Sequence, residues 1–220
     1  ALMRDAACVG FLQWALPRMG MRWSGFRRVR MQVCKRLSRR LRELDLRSLD
    51  QYRARLDTHP GEWDVLDGLC RITISRFYRD RGVFDTIRGR ILPTLARRAL
   101  LRDDPVIRCW SAGCASGEEP YSLSLAWHLE VAADVPGADL RIVATDVDPH
   151  LLERARQATY PPGALKELPE EWLAVAFERA DGELHLRAEY RDPVELLQQD
   201  IRLEMPPGPF DLLLCRNLVF

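Results

Sequence analysis

The residues best suited to chemistry lie in the second half of the chain. A turn at residues 111–117, S-A-G-C-A-S-G, follows a short apolar run at 106–110 and precedes a helical pattern from about 119 to 131. Gly113 and Gly117 let the backbone there approach a ligand with no Cβ in the way. A second apolar run, 140–145, ends at Asp146, and a third, 210–214, ends in Cys215-Arg216-Asn217. Strand, helix, strand, helix is the order of a parallel doubly wound sheet, whose ligands bind at the carboxyl ends of the strands. All three features are such ends. A carboxylate at Asp146 can accept both hydroxyl hydrogens of a ribose, so the pattern points to a nucleoside-type cofactor.

The turn also says which cofactors fit badly. A dinucleotide fingerprint needs G-x-G-x-x-G, and the first glycine is missing. A phosphate-binding loop needs Gly-Lys-Ser/Thr, whereas Gly117 is followed by Glu118 and Glu119. Two carboxylates at a helix start repel a pyrophosphate and suit a cation. S-adenosylmethionine carries an amino group, a sulfonium and a ribose but no phosphate, and fits better than NAD or ATP. Glu118 has an equally good structural reading, as a first-turn acid facing the helix dipole. Cys109, Cys114 and Cys215 read as small core residues rather than nucleophiles, and Tyr121 and Trp110 as packing.

The elements that would position these residues divide by charge. Residues 1–102 hold 23 Lys and Arg against 10 Asp and Glu; residues 103–220 hold 10 against 22. The near-neutral total of +1 conceals a basic half and an acidic half. In the basic half, Val29, Val33, Leu37, Leu41 and Leu44 recur at helical spacing over 26–44, with arginines on the other faces. Ser48 with Gln51 marks a capped helix through Leu56, and 62–69 is helical again. This predicts a basic helical domain over 1–70 and a connector over 71–104. An α/β domain follows over 105–220. Within the latter, Asp181-Gly182 flanked by 175–179 and 183–187 is a hairpin signal, so 159–203 is expected to be an inserted antiparallel β-subdomain. Asp148-Pro149 opens a helix at 151–156.

The six cysteines are irregularly spaced, with no Cys-x-x-Cys pair, and the four histidines are scattered. That predicts reduced thiols in a cytoplasmic protein and no metal centre. No apolar run approaches the length of a membrane span, and 8–16 lacks the flanks of a signal peptide.

Several stretches carry a resemblance. Residues 110–122, W-S-A-G-C-A-S-G-E-E-P-Y-S, are similar to the cofactor loop of the CheR family of chemotaxis receptor methyltransferases. Residues 73–80, T-I-S-R-F-Y-R-D, resemble that family's T-x-F-F-R-D stretch, with Ser75 for Thr and Tyr78 for Phe. Residues 144–148 with Ala155, Arg156 and Tyr160 resemble its second strand and helix, and Phe210-Asp211 with 215–217 its later strand. Arg36, Arg39 and Arg40 fit its N-terminal domain.

The resemblance implies a Rossmann-like S-adenosylmethionine methyltransferase sheet with an inserted antiparallel β-subdomain, preceded by an α-helical domain. It also implies that family members continue past position 220 with further strands, so activity of the chain ending there is left open. The implied reaction is transfer of a methyl group to glutamate side chains of chemoreceptors, leaving S-adenosylhomocysteine. Carried over by motif, Thr73, Ser75, Arg79, Gly113, Glu119, Asp146, Asp200, Ile201, Arg216 and Asn217 line the cofactor. Asp200 stands where the family often has Asn, and Arg79 is the candidate catalytic residue. The basic helices would dock on receptor signalling helices, with no nucleic acid, no membrane insertion and a monomer expected. The competing readings are a cofactor-binding module without turnover and a small-molecule methyltransferase.

Overall fold

The computed structural model describes residues 5–71 and 75–216. The chain forms two compact units that divide between residues 74 and 75.

The first unit is helical: α1 (Asp5–Ala15), α2 (Trp23–Phe26), α3 (Arg30–Glu43), α4 (Leu49–Thr58) and α5 (Gly61–Cys70). The apolar stripe of α3 buries Val33, Leu37 and Leu41 against Phe11, Leu12, Tyr52 and Leu56. Ser48 caps α4 by accepting from the Gln51 amide at 3.2 Å, while the Gln51 side chain takes the Arg47 amide at 2.7 Å. Two carboxylates of α5, Glu62 and Asp67, are buried. Glu62, 5% exposed, receives Arg40 through two 2.9 Å hydrogen bonds and the Tyr52 hydroxyl at 2.8 Å. Those hydrogen bonds hold the Glu62 carboxyl below its usual range despite burial.

The expectation of six reduced thiols is corrected here. Cys8 on α1 and Cys34 on α3 form a disulfide, with Cα atoms 6.0 Å apart. Both lie on the buried stripes along which α1 and α3 pack, so tertiary contact brings them together. A separation of 26 residues matches no spacing motif and gave no sign of the pairing.

The second unit opens with α6 (Arg81–Thr86), a π-helical turn at Ile87–Ile91 and α7 (Leu92–Ala99). These belong to the α/β core, which corrects the reading of 71–104 as a connector. Phe77, Tyr78, Phe84, Ile87, Leu92 and Ala96 are buried in one cluster with residues of the sheet. A segment carrying that much buried apolar surface cannot remain a linker.

Then come β1 (Val106–Ala112), α8 (Glu118–Ala126), β2 (Asp139–Asp146) and α9 (Pro149–Gln157). The excursion holds β3 (Thr159–Tyr160), α10 (Glu170–Ala176), β4 (Phe177–Ala180) and β5 (Glu183–Leu186), followed by α11 (Ala188–Arg191). Finally β6 (Val194–Gln198) and β7 (Leu212–Leu214) return to the main sheet. That sheet is parallel throughout, in the order β6-β2-β1-β7. The separate antiparallel sheet runs β3-β5-β4. Its hairpin turns at Asp181 and Gly182, both with positive φ (52° and 81°), as a two-residue primed turn requires.

The excursion ends earlier than 203. Residues 194–198 are a strand of the parallel sheet, because Val194 and Leu196 pack on Cys114, Ala144 and Leu152. Among the described residues no helix is long and apolar enough to cross a membrane.

Candidate cofactor site

The chain runs outward from β1 to β2 and β6 and then crosses to β7 on the other side of β1. The strand order therefore reverses at β1, and the crevice beyond its carboxyl end is where an open parallel sheet binds its ligand.

The 111–117 turn occupies that end and is fastened to β2. The amides of Gly113 and Cys114 both donate to the Thr145 carbonyl, at 2.8 and 2.9 Å. The Ala115 amide donates to Asp146 Oδ2 at 2.8 Å, and the Asp148 amide to Asp146 Oδ1 at 3.0 Å. Gly113, Ala115 and Gly117 all have positive φ. At Gly117, where φ is 91°, a Cβ would lie 2.6 Å from Tyr121 Cε2, so both conformation and space demand glycine. Tyr121 and Tyr160 buttress the turn through hydroxyl bonds to the Ala155 and Ser116 carbonyls, which supports the packing role expected for Tyr121.

The two glutamates that follow differ. Glu118 is buried and takes the Ser116 hydroxyl at 2.9 Å, so it closes the turn on itself. Glu119 points to the end of the sheet. Its Oε1 accepts from Ser111 Oγ at 2.8 Å and its Oε2 from Arg216 at 3.3 Å. Burial raises the Glu119 carboxyl above its ordinary range; Ser111, Arg216 and Arg79 pull the other way without cancelling it.

Arg216 joins three parts of the site. It pairs with Asp80 and Glu119, donates to the Arg79 carbonyl at 2.7 Å and lies over the Phe84 ring at 5.3 Å. Arg79 is therefore held beside Glu119 through its backbone, and its charge acts on that carboxyl.

Asp200 follows Gln199, whose amide donates to the Asp146 carbonyl at 3.1 Å, so it stands next to Asp146. Its carboxylate receives the Arg202 guanidinium at 2.6 Å, a partner that an asparagine would hold far less strongly. Ile201 is half-buried in the turn that follows, and Ser75 is half-buried at the start of the second unit. Thr73 and Asn217 lie outside the described residues. Ser111, Asp80 and Ser122 contribute contacts without having been singled out. Serines and a surface aspartate carry no signal of their own in a sequence, and only the turn around them does.

The buried thiols are not nucleophiles. Burial pushes Cys109 up to about 12 and holds Cys114 well above the ordinary thiol value, and partial burial raises Cys215 as well. Among the described residues no cluster of ligating side chains could hold a metal.

The donor set decides the ligand class. Acceptors end β2 and begin α8, Gly113 takes a positive φ in the turn between them, and the first turn of α8 offers the Glu119 carboxylate where a phosphate would need donors. That is a site for a cationic, phosphate-free nucleoside, in a Rossmann-like methyltransferase domain preceded by a helical one.

Comparison with known proteins names the family. Residues 73–220 match "CheR methyltransferase, SAM binding domain", and residues 29–66 match "CheR methyltransferase, all-alpha domain". The chain belongs to the CheR methyltransferase family, and S-adenosylmethionine is the cofactor of this domain. It is 34% identical to chemotaxis protein methyltransferase 2 of Pseudomonas aeruginosa over 85% of this chain and 66% of that protein. It is 33% identical to the chemotaxis protein methyltransferase of Escherichia coli (86% and 65%) and 31% to that of Listeria monocytogenes (71% and 56%). The chain thus spans about two thirds or less of these relatives.

Proposed function

We propose that this chain transfers methyl groups to glutamate side chains of chemotaxis receptors, forming the methyl esters used in sensory adaptation. The observation that carries the reading is Glu119, set between Ser111 and Arg216 beside Arg79, with Asp146 at the next strand end. In this reading Asp146 takes the ribose hydroxyls and Glu119 the methionine ammonium. Ser75, Gly113, Asp200, Ile201 and Arg216 complete the pocket, together with Thr73 and Asn217. The bound cofactor supplies a methyl group activated by its sulfonium.

The chain's own task is then positioning and dehydration. A glutamate acceptor is already an anion at pH 7, so it needs no general base. Arg79 orients a carboxylate: either the incoming glutamate's, in line with the methyl group, or the cofactor's own, which fixes the methionine end in the pocket; the end of the sheet excludes water from the acceptor. The exposed cations Arg27, Arg28, Lys35, Arg39 and Arg42 are the docking face for acidic receptor helices in the cytoplasm. Arg36 and Arg40 are not in that set, because Arg36 donates to the Leu69 and Arg71 carbonyls and Arg40 holds Glu62.

The test is transfer of tritiated methyl from S-adenosylmethionine to receptor signalling fragments, followed by mild base. Label released as methanol, and strongly reduced by Arg79→Ala in a folded protein, is expected. Base-stable label, or transfer to small acceptors alone, contradicts the reading.

A further inference from the structure

Arg79 sits between two residues in a conformation that side chains avoid. Tyr78 has φ 55° and Asp80 has φ 61°. For a bulky residue such as tyrosine a left-handed φ is an outlier, and it persists only where surrounding contacts over-determine it. Those contacts are visible. The Tyr78 amide donates to Ser122 Oγ at 2.8 Å, and the same hydroxyl donates to the Glu118 carbonyl at 2.6 Å. Ser122 is fully buried, so both of its bonds are shielded from water. The Tyr78 ring stacks on Phe84 (5.1 Å), meets Trp172 edge-on (5.4 Å) and donates its hydroxyl to Asp85 at 3.0 Å. Asp80, on the other side, is held by Arg216.

The consequence is a fixed register between two segments far apart in sequence. Ser122 lies on the first turns of α8, three residues after Glu119. Its hydroxyl ties the backbone that carries Arg79 to the helix that carries Glu119. We propose that Ser122 is a positioning residue: by locking Tyr78 in its left-handed conformation it sets the direction in which Arg79 enters the cofactor site. This rests on the role of Arg79 proposed above. Ser122 touches neither cofactor nor acceptor in this account and acts through Arg79 alone.

A double-mutant cycle tests it, read as calorimetric affinity for S-adenosylhomocysteine. Ser122→Ala leaves the Tyr78 amide without an acceptor and frees its backbone, and should weaken binding about 10-fold, as expected if the conformation that aims Arg79 into the site falls to about a tenth of the population. Arg79→Ala should weaken it at least as much. The double variant should be no weaker than Arg79→Ala, because the lock has nothing left to aim. Additive losses, or no loss in Ser122→Ala, overturn the proposal. If Ser122→Ala does not fold, Ser122→Cys keeps the volume with a poor acceptor, and the same two outcomes apply. Absence of binding in the unmodified chain would instead refute the cofactor-site reading, so the two failures are distinguishable.

Discussion

The Asp146 carboxylate accepts the Ala115 amide at 2.8 Å across 31 residues of sequence, and its second oxygen accepts the Asp148 amide. One side chain thus shapes the cofactor turn, the end of β2 and the approach to α9 while keeping lone pairs for a ligand. Replacing it should damage fold and binding together. Asp146→Ala leaves two partly buried amides unpaired and should cost about 1–3 kcal/mol for each amide that water cannot reach. Asp146→Asn retains one acceptor and should cost less. Urea unfolding checks the first effect and equilibrium dialysis with labelled cofactor the second; an Asp146→Ala variant with unchanged stability would show that the turn does not depend on this carboxylate.

Gly117→Ala isolates the demand of the turn itself. The new methyl meets the Tyr121 ring at 2.6 Å in a backbone with φ 91°. Strain and overpacking together should destabilise the second unit by about 2–4 kcal/mol. Gly82→Ala, where a Cβ meets nothing within 4 Å, is the control and should change stability little. Equal midpoints for the two variants in denaturant titrations would contradict the packing described at the turn.

Glu119 gives the site a pH dependence with a definite sign. Its pKa is raised in the folded state, chiefly by burial, so the ionised form is disfavoured there relative to the unfolded chain. Stability attributable to this group therefore decreases as pH rises through the folded pKa and is recovered on acidification. Affinity for a cationic ligand runs the other way and falls as Glu119 takes up its proton, at a pH above the usual glutamate value near ~4.3. In that window binding should release protons, detectable as a dependence of calorimetric heat on buffer ionisation. Glu119→Gln should abolish the release; its persistence would assign the proton to another group.

Much of this arrangement is legible in the sequence, for physical reasons. The 111–117 turn, the Asp148-Pro149 cap and the Asp181-Gly182 hairpin are local, each set by residues with narrow backbone preferences. What escaped detection is tertiary. Phe77, Tyr78 and Phe84 are spaced as in many surface segments, and only their burial against Trp172 and Phe177 shows that the stretch from Phe77 to Ala99 packs into the core. Strand β6 is five residues containing Glu195 and Gln198, and it is recruited by pairing with β2 and by the packing of Val194 and Leu196 on Ala144 and Leu152, contacts that no local pattern displays. Ser122 reads as a helix residue; its bond to Tyr78 joins positions 44 apart.

The Cys8–Cys34 disulfide is such a tertiary feature and can be examined alone. Thiol titration of the unfolded, unreduced protein should find four free cysteines: Cys70, Cys109, Cys114 and Cys215. Closing a loop of this size should contribute about 2–4 kcal/mol to the helical unit, lost in Cys8→Ser with Cys34→Ser. Six titratable thiols would mean that the two side chains meet without bonding.

The central claim is that the end of this sheet takes a cationic, phosphate-free nucleoside through Asp146 and Glu119. Titration calorimetry of the chain with S-adenosylmethionine, ATP and NAD tests it most directly. Saturable 1:1 binding of S-adenosylmethionine is predicted, with Kd on the order of micromolar, about −8 kcal/mol. Asp146→Ala and Glu119→Gln should weaken it, and neither phosphate-bearing nucleotide should bind measurably. Comparable binding of ATP or NAD, or none of S-adenosylmethionine, would contradict the account.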